Sequence, residues 1–222
     1  MSSTPGIPRR PRGAGLSRRG IVAGGLTLIA GAAAIRRALA ADLAPTPRQS
    51  AGPFYPHRWR GEADADLVQL SGQPRPAHGQ VAHVMGRILG RHGRPLGGVQ
   101  VELWQCDALG RYHHPGEPRQ GADPYFQGYG RMTVGADGAY HFRTLKPVPY
   151  PGRTPHIHFR LSGSGIAPMT TQMYLEGEPG NERDGLFGRL GAAERQRLLV
   201  ALRPAPALEA DALAGTFDIV LG

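Results

Sequence analysis

The sequence predicts a mainly β protein: an antiparallel β-sandwich with long loops, an extended N-terminal arm and one short C-terminal helix. Three observations carry this expectation. Short runs rich in strand-forming residues are bounded by Gly, Pro or Asp, no helical period separates them, and the stretch before them is interrupted by proline every few residues. In chain order the arm comes first, residues 41–78, where Pro45, Pro47, Pro53, Pro56, Pro74 and Pro76 break any helix. The strands come next in a domain spanning 79–222: Val81 to Leu89, Val99 to Gln105, Tyr140 to Leu145, His156 to Leu161, Thr170 to Leu175 and Phe217 to Leu221. The helix is Ala192 to Leu202, with Leu198, Leu199 and Leu202 on one apolar stripe and Pro204 beyond it.

The chain's 222 residues suit one domain with a tail, and its 33 Gly and 21 Pro lie between apolar runs as turns. A single cysteine, Cys106, excludes an internal disulfide framework and a thiolate zinc cage, and it reads as a small buried hydrophobe. The formal charge of +9 is misleading. Seven of the 26 basic residues (Arg9, Arg10, Arg12, Arg18, Arg19, Arg36 and Arg37) fall in residues 1–40, which contain no acid; 19 bases then face 17 acids in the remainder. That balance leaves no electrostatic footprint for DNA or RNA.

Residues 1–40 read as an export signal. Arg18-Arg19 precede an apolar run from Gly20 to Ile35, and Ala38-Leu39-Ala40 offers a small-residue cleavage site. The run is short for a membrane span, so no stable insertion is expected after cleavage. Ser17-Arg18-Arg19 before Gly20-Ile21-Val22 resembles a twin-arginine signal, a route that carries folded proteins to the periplasm or outside.

The sharpest chemical signal is His156-Ile157-His158. On a strand, residues i and i+2 share a face, so both imidazoles can reach one ion, and imidazole suits Fe, Cu, Zn and Ni alike. The plain alternative is two surface histidines. His113 and His114, next to Pro115-Gly116, read as solvated loop residues that at most line an entrance. Tyr112 and Tyr150, each taken alone, read as core or rim aromatics. Tyr150, however, stands in the rigid Pro149-Tyr150-Pro151 segment just before the histidines, and a hard cation would ionise a phenol held there. Two phenolates and two imidazoles favour Fe(III) over zinc.

An ordered set of motifs then resembles the intradiol ring-cleavage dioxygenases, the protocatechuate 3,4-dioxygenase type most closely. The set comprises Val101 to Gln105, Gly110-Arg111-Tyr112, Gly130-Arg131, Asp137 to Pro147, Pro149-Tyr150-Pro151, His156-Ile157-His158-Phe159, Gln172-Met173-Tyr174 and Glu176-Gly177. The resemblance implies four iron ligands, Tyr112, Tyr150, His156 and His158, with Fe(III) as the cofactor. It implies a catechol-type substrate and O2, ring opening between the two hydroxyl carbons, and a cis,cis-muconate-type diacid product. It places Tyr150, Arg153 and Gln172 in catalysis, Arg153 and Gln172 lining the site and steadying the substrate, with Phe54 or Tyr55 of the arm overhanging the substrate. Homo-oligomers are common in such a family.

Two departures bear on substrate and assembly. Only five residues separate Tyr150 from His156, where the protocatechuate type carries a longer pocket-shaping insertion, and the long helical N-terminal segment of catechol 1,2-dioxygenases has no counterpart. Two rival readings stand beside the enzyme. One is a transthyretin-like binding module, suggested by Gly86 to Leu89 and Gly93 to Val99; the other is an exported copper or zinc protein using His156 and His158. Neither needs Tyr112 and Tyr150.

Overall fold

Alternation along the run from His156 to Gly163 sets two surfaces back to back. Ile157, Phe159 and Leu161 enter the apolar core, while His156, His158 and Arg160 emerge on the opposite face. The computed structural model describes residues 1, 42–117, 121–163 and 165–222; the export signal read in residues 1–40 falls almost wholly outside the described residues.

Among the described residues ten strands form: β1 (Val81–Gly90), β2 (Gln100–Trp104), β3 (Tyr129–Thr133), β4 (Ala139–Leu145), β5 (His156–Gly163), β6 (Ile166–Leu175), β7 (Leu199–Val200), β8 (Arg203–Pro204), β9 (Leu213–Thr216) and β10 (Ile219–Leu221). They build two five-stranded sheets. In the first, β4 pairs with one side of β1, β9 and β10 lie end to end along its other side, and β8 borders β9. The second runs β3-β2-β5-β6-β7. Val84, Ile88, Tyr140 and Phe142 of the first sheet meet Val101, Leu103, Phe159 and Leu161 of the second, with Phe159 5.8 Å from Tyr140 and 5.4 Å from Phe217, centroid to centroid. Each such large side chain contributes about 1.5–3 kcal/mol by leaving water. The sandwich is the predicted one.

Three details differ from the sequence reading. The sheets are mixed, because β9 and β10 run parallel to β1 and β7 runs parallel to β6. The expected Phe217–Leu221 strand begins at Ile219: Phe217 turns into the core, and the Asp218 carboxylate accepts the Arg87 amide at 2.8 Å where a ladder bond would lie. The expected helix shortens to α1 (Ala192–Gln196). The open edge of β6 captures residues 198–200, with the Tyr174 amide donating to the Leu198 carbonyl and the Glu176 amide to the Val200 carbonyl, so tertiary pairing overrides helical period.

The arm crosses its own domain as an extended strap. The Thr46 amide donates to the Val220 carbonyl, the Gln49 amide to Thr170, the Thr171 hydroxyl to Pro47 and the Gln172 side-chain amide to Ser50. It therefore ties the C-terminal end of the first sheet to β6 of the second, and it continues over the outer face of β5. No helix among the described residues is long and apolar enough to cross a membrane.

Candidate metal centre

The outer face of the second sheet would ordinarily be wet and polar; here the arm and two long loops cover it. Cross-strand register places Trp104 opposite His158, Glu102 opposite Arg160, His158 opposite Gln172 and His156 opposite Tyr174. Trp104 lies flat on the His158 ring, with centroids 4.7 Å apart and planes within 7°. Glu102, buried beside it, accepts hydrogen bonds from Tyr55 at 2.9 Å, Tyr129 at 2.6 Å and Arg160 at 2.7 Å.

Two loops deliver the phenols. After β2, the Asp107 carboxylate accepts the amides of Leu109 and Arg111 through one oxygen and that of Asp123 through the other, which fixes the turn leading to Tyr112. After β4, Tyr150-Pro151-Gly152-Arg153 closes a tight turn, the Arg153 amide donating to the Tyr150 carbonyl at 2.9 Å. Proline in the second position and a glycine with φ of +83° in the third suit a type II turn. The loops touch at Gly110, whose φ is +71° and where an added Cβ would stand 3.1 Å from the Pro149 carbonyl oxygen and 3.4 Å from Tyr150 Cβ. Gly110→Ala is therefore expected to cost about 1–2 kcal/mol for the left-handed backbone. It should also push the two tyrosines apart, so activity should fall by more than stability alone explains. Denaturation midpoints measured beside kcat check this, and unchanged kcat would refute it.

The four residues singled out as ligands converge. His156 and His158 face each other with Nε2 atoms 3.2 Å apart; Tyr112 lies edge-on to Tyr150 at 5.6 Å and Tyr150 lies 5.5 Å from His156, between centroids. The His156 Nδ1 atom sits 2.6 Å from the Thr154 carbonyl oxygen, so Nδ1 carries the proton and Nε2 presents its lone pair inward. Burial, helped by Arg153, lowers the His156 pKa to about 4; burial and then His156 hold His158 well below the usual range. Both rings are thus neutral near pH 7, the form that binds metal. Burial drives the Tyr112 phenol well above its usual range, and it raises Tyr150 against the opposing pull of Arg153. The Tyr112 hydroxyl is buried against the Tyr150 phenol without a well-aligned hydrogen bond, and His158 Nδ1 is buried without one. Among the described residues no group of three or more His, Cys, Asp or Glu is arranged to hold a metal. An ion at this place would have to draw ligands from phenols as well as imidazoles.

Arg153 stands beside the centre. Its Nε donates to Asp184 at 2.8 Å, and its Nη2 donates to the Gln172 amide oxygen at 2.5 Å and to the Tyr174 hydroxyl at 3.3 Å. Gln172 is held at its other end by the Ser50 carbonyl. A cleft of about 270 Å³ opens here, lined by Tyr150, Arg153, Gly180 and Arg183 among others. Phe54 stacks on Tyr112 at 4.6 Å and meets Tyr150 edge-on at 6.3 Å, while Tyr55 is engaged with Glu102 and Trp104 instead. His113 and His114 are half-buried rather than solvated, and both line a cavity of about 240 Å³ beside Phe54. Cys106 is buried, as expected.

Sequence reasoning missed Trp104 as the plate under His158, Asp184 as the anchor of Arg153, and Tyr174. Trp104 had a legible signal, since it shares a strand face with Glu102; Asp184 lies in a loop with nothing to distinguish it.

The profile of the Dioxygenase family matches residues 50–222. The chain is 36% identical over 183 residues to the protocatechuate 3,4-dioxygenase beta chain of Burkholderia cepacia, covering 78% of each. It is 33% identical over 159 residues to the 6-chlorohydroxyquinol 1,2-dioxygenase of Cupriavidus pinatubonensis, covering 62% of this chain and 53% of that protein, so it spans about half the length of that relative. Among solved structures, the dioxygenase domain of a dioxygenase and carbohydrate-binding protein fusion from Streptomyces sp. SirexAA-E superposes with a TM-score of 0.63 at 35% identity, covering 80% of this chain and 98% of that one.

Proposed function

This chain belongs to the intradiol ring-cleavage dioxygenase family, and on that premise we propose that it is an exported Fe(III) enzyme. The reaction proposed is opening of a catechol-type ring by O2 between its two hydroxyl carbons, giving a cis,cis-muconate-type diacid. One observation carries the reading: a buried phenol, Tyr112, a half-buried one, Tyr150, and two neutral imidazoles converge on one place whose Tyr112 hydroxyl lacks a well-aligned hydrogen bond. Tyr112, Tyr150, His156 and His158 would hold the ion. Anionic oxygen ligands suit a hard, highly charged cation, which would offset the burial that otherwise keeps both phenols protonated. Bound Fe(III) would act as a Lewis acid toward the diphenol and bring it together with O2.

The chain's own residues do the rest. Tyr150, at the cleft, would be a phenolate when the ion is bound, and in that form it is placed to take a proton from an incoming hydroxyl. Arg153 keeps its charge and faces the same space, where it orients the diphenol and stabilises the negative charge that deprotonation leaves on the ring oxygens. Gln172, locked between Arg153 and Ser50, fixes the direction of that guanidinium. Phe54 walls the centre from water by covering Tyr112.

The cleft reaches the site at Tyr150 and Arg153, not at Tyr112, His156 or His158, and exposed Arg183 at its rim adds positive charge that would favour an anionic substituent such as the carboxylate of protocatechuate. The Arg-rich, apolar residues 1–40 support export by a twin-arginine route. The test is a visible spectrum of iron-reconstituted protein, before and after adding catechol or protocatechuate without oxygen. A tyrosinate-to-Fe(III) absorption band that shifts with the diphenol is expected, more strongly with protocatechuate. Protein that stays colourless and iron-free after reconstitution refutes the reading.

A further inference from the structure

On the outer face of the first sheet, two more imidazoles meet. His83 Nδ1 and His141 Nε2 are 2.9 Å apart, with ring planes inclined by 42°. His83 and Met85 share one face of β1, and register pairs Met85 directly with His141 of β4. His83 is 6% exposed, and its other nitrogen, Nε2, is buried without a well-aligned hydrogen bond, 3.4 Å from a Glu209 carboxylate oxygen. Met85 and His141 line an open cavity of about 450 Å³ that also touches Arg87, Thr216 and Asp218, so the place is reachable from solvent.

We propose that His83, His141 and Met85 form a second transition-metal site, separate from the iron centre and suited to Cu(I). Two nitrogens each about 2 Å from one ion stand roughly 3 Å apart, which is the separation found. Met85 and His141, opposite each other on paired strands, have Cβ atoms about 5 Å apart, within reach of one ion for a flexible thioether. Soft thioether beside imidazole selects Cu(I) over hard cations. Glu209 serves as the outer partner that turns the His83 ring: with Nε2–H directed at its carboxylate, Nδ1 is left with its lone pair facing His141. Glu209 is itself held by Arg143, which donates from Nε and Nη2 at 2.7 Å each and binds Asp66 through Nη1. The carboxylate is therefore neutralised in place and orients His83 instead of binding the ion.

The experiment uses the full chain loaded with iron, so that the first centre is filled. Cu(I) is titrated without oxygen against a coloured Cu(I) chelator, and bound copper and iron are counted by mass spectrometry. The expected result is one copper per chain beyond the iron, lost in His141→Ala and bound at least tenfold more weakly by Met85→Leu. His141 is exposed, so its replacement should leave folding, iron content and the visible band unchanged, and copper held at the first centre would survive it. No copper uptake by the iron-loaded protein, or uptake by His141→Ala equal to wild type, overturns the site. Equal affinity in Met85→Leu overturns the thioether ligand.

Discussion

Replacing His158 with Ala is expected to remove iron and ring-cleaving activity together, with kcat falling more than 100-fold. Loss of an outer partner of a ligand costs 10–100-fold, and His158 is proposed as a ligand itself. Its ring lies between the flat face of Trp104 and the partner imidazole 3.2 Å away, so no neighbouring side chain is placed to substitute. Iron by mass spectrometry and oxygen uptake with catechol check this. A His158→Ala protein with full iron and full uptake would refute the ligand assignment.

Asp184→Ala should produce the second large effect, through Arg153. One Asp184 carboxylate oxygen accepts from Arg153 Nε and from the Thr154 amide; the other accepts from the amides of Leu186 and Phe187. Asp184 is 2% exposed. Burial raises its carboxyl, but the Phe187 amide, then the Arg153 guanidinium and the Thr154 amide, outweigh it and hold the group below the usual range. Removing it strands a largely buried guanidinium, a change that typically costs 3–5 kcal/mol. It also releases the guanidinium proposed to face the substrate, so kcat should fall by about 10–100-fold in the protein that remains folded. Asp184→Asn keeps one acceptor oxygen and should recover much of the stability with less of the rate. Denaturant midpoints and kcat on both variants test this; equal stability and rate for Asp184→Ala and wild type would remove Asp184 from the account.

The site was legible where local chemistry suffices. Alternation in His156-Ile157-His158-Phe159 put both imidazoles on one face, and Tyr150-Pro151-Gly152-Arg153 carries its turn in its composition. The convergence of Tyr112 with Tyr150 came from a resemblance, because two loops separated by β3 and β4 leave no local signal of their contact at Gly110. What stayed hidden was decided by long-range competition. Leu198, Leu199 and Leu202 make a good helical stripe, yet the open edge of β6 offers backbone partners that the stripe cannot reveal. Strand β3 escaped notice because Gly130 weakens its pattern; an added Cβ there would stand 2.5 Å from the Asp64 carbonyl oxygen, in the arm.

The strap formed by the arm also constrains the order in which the molecule can be completed. The Val220 amide donates to the Thr46 hydroxyl across 174 positions of sequence, and the arm's bonds to Pro168 and Thr171 span 120 and 124. The Thr46 clamp cannot close until residue 220 has been made, so it is a late event however early β1 and β4 associate. A topology so rich in distant contacts folds slowly, in milliseconds to seconds for comparable all-β domains. Until that clamp forms, the arm that crosses the histidine face is held at residues 47–50 by its bonds to β6 alone.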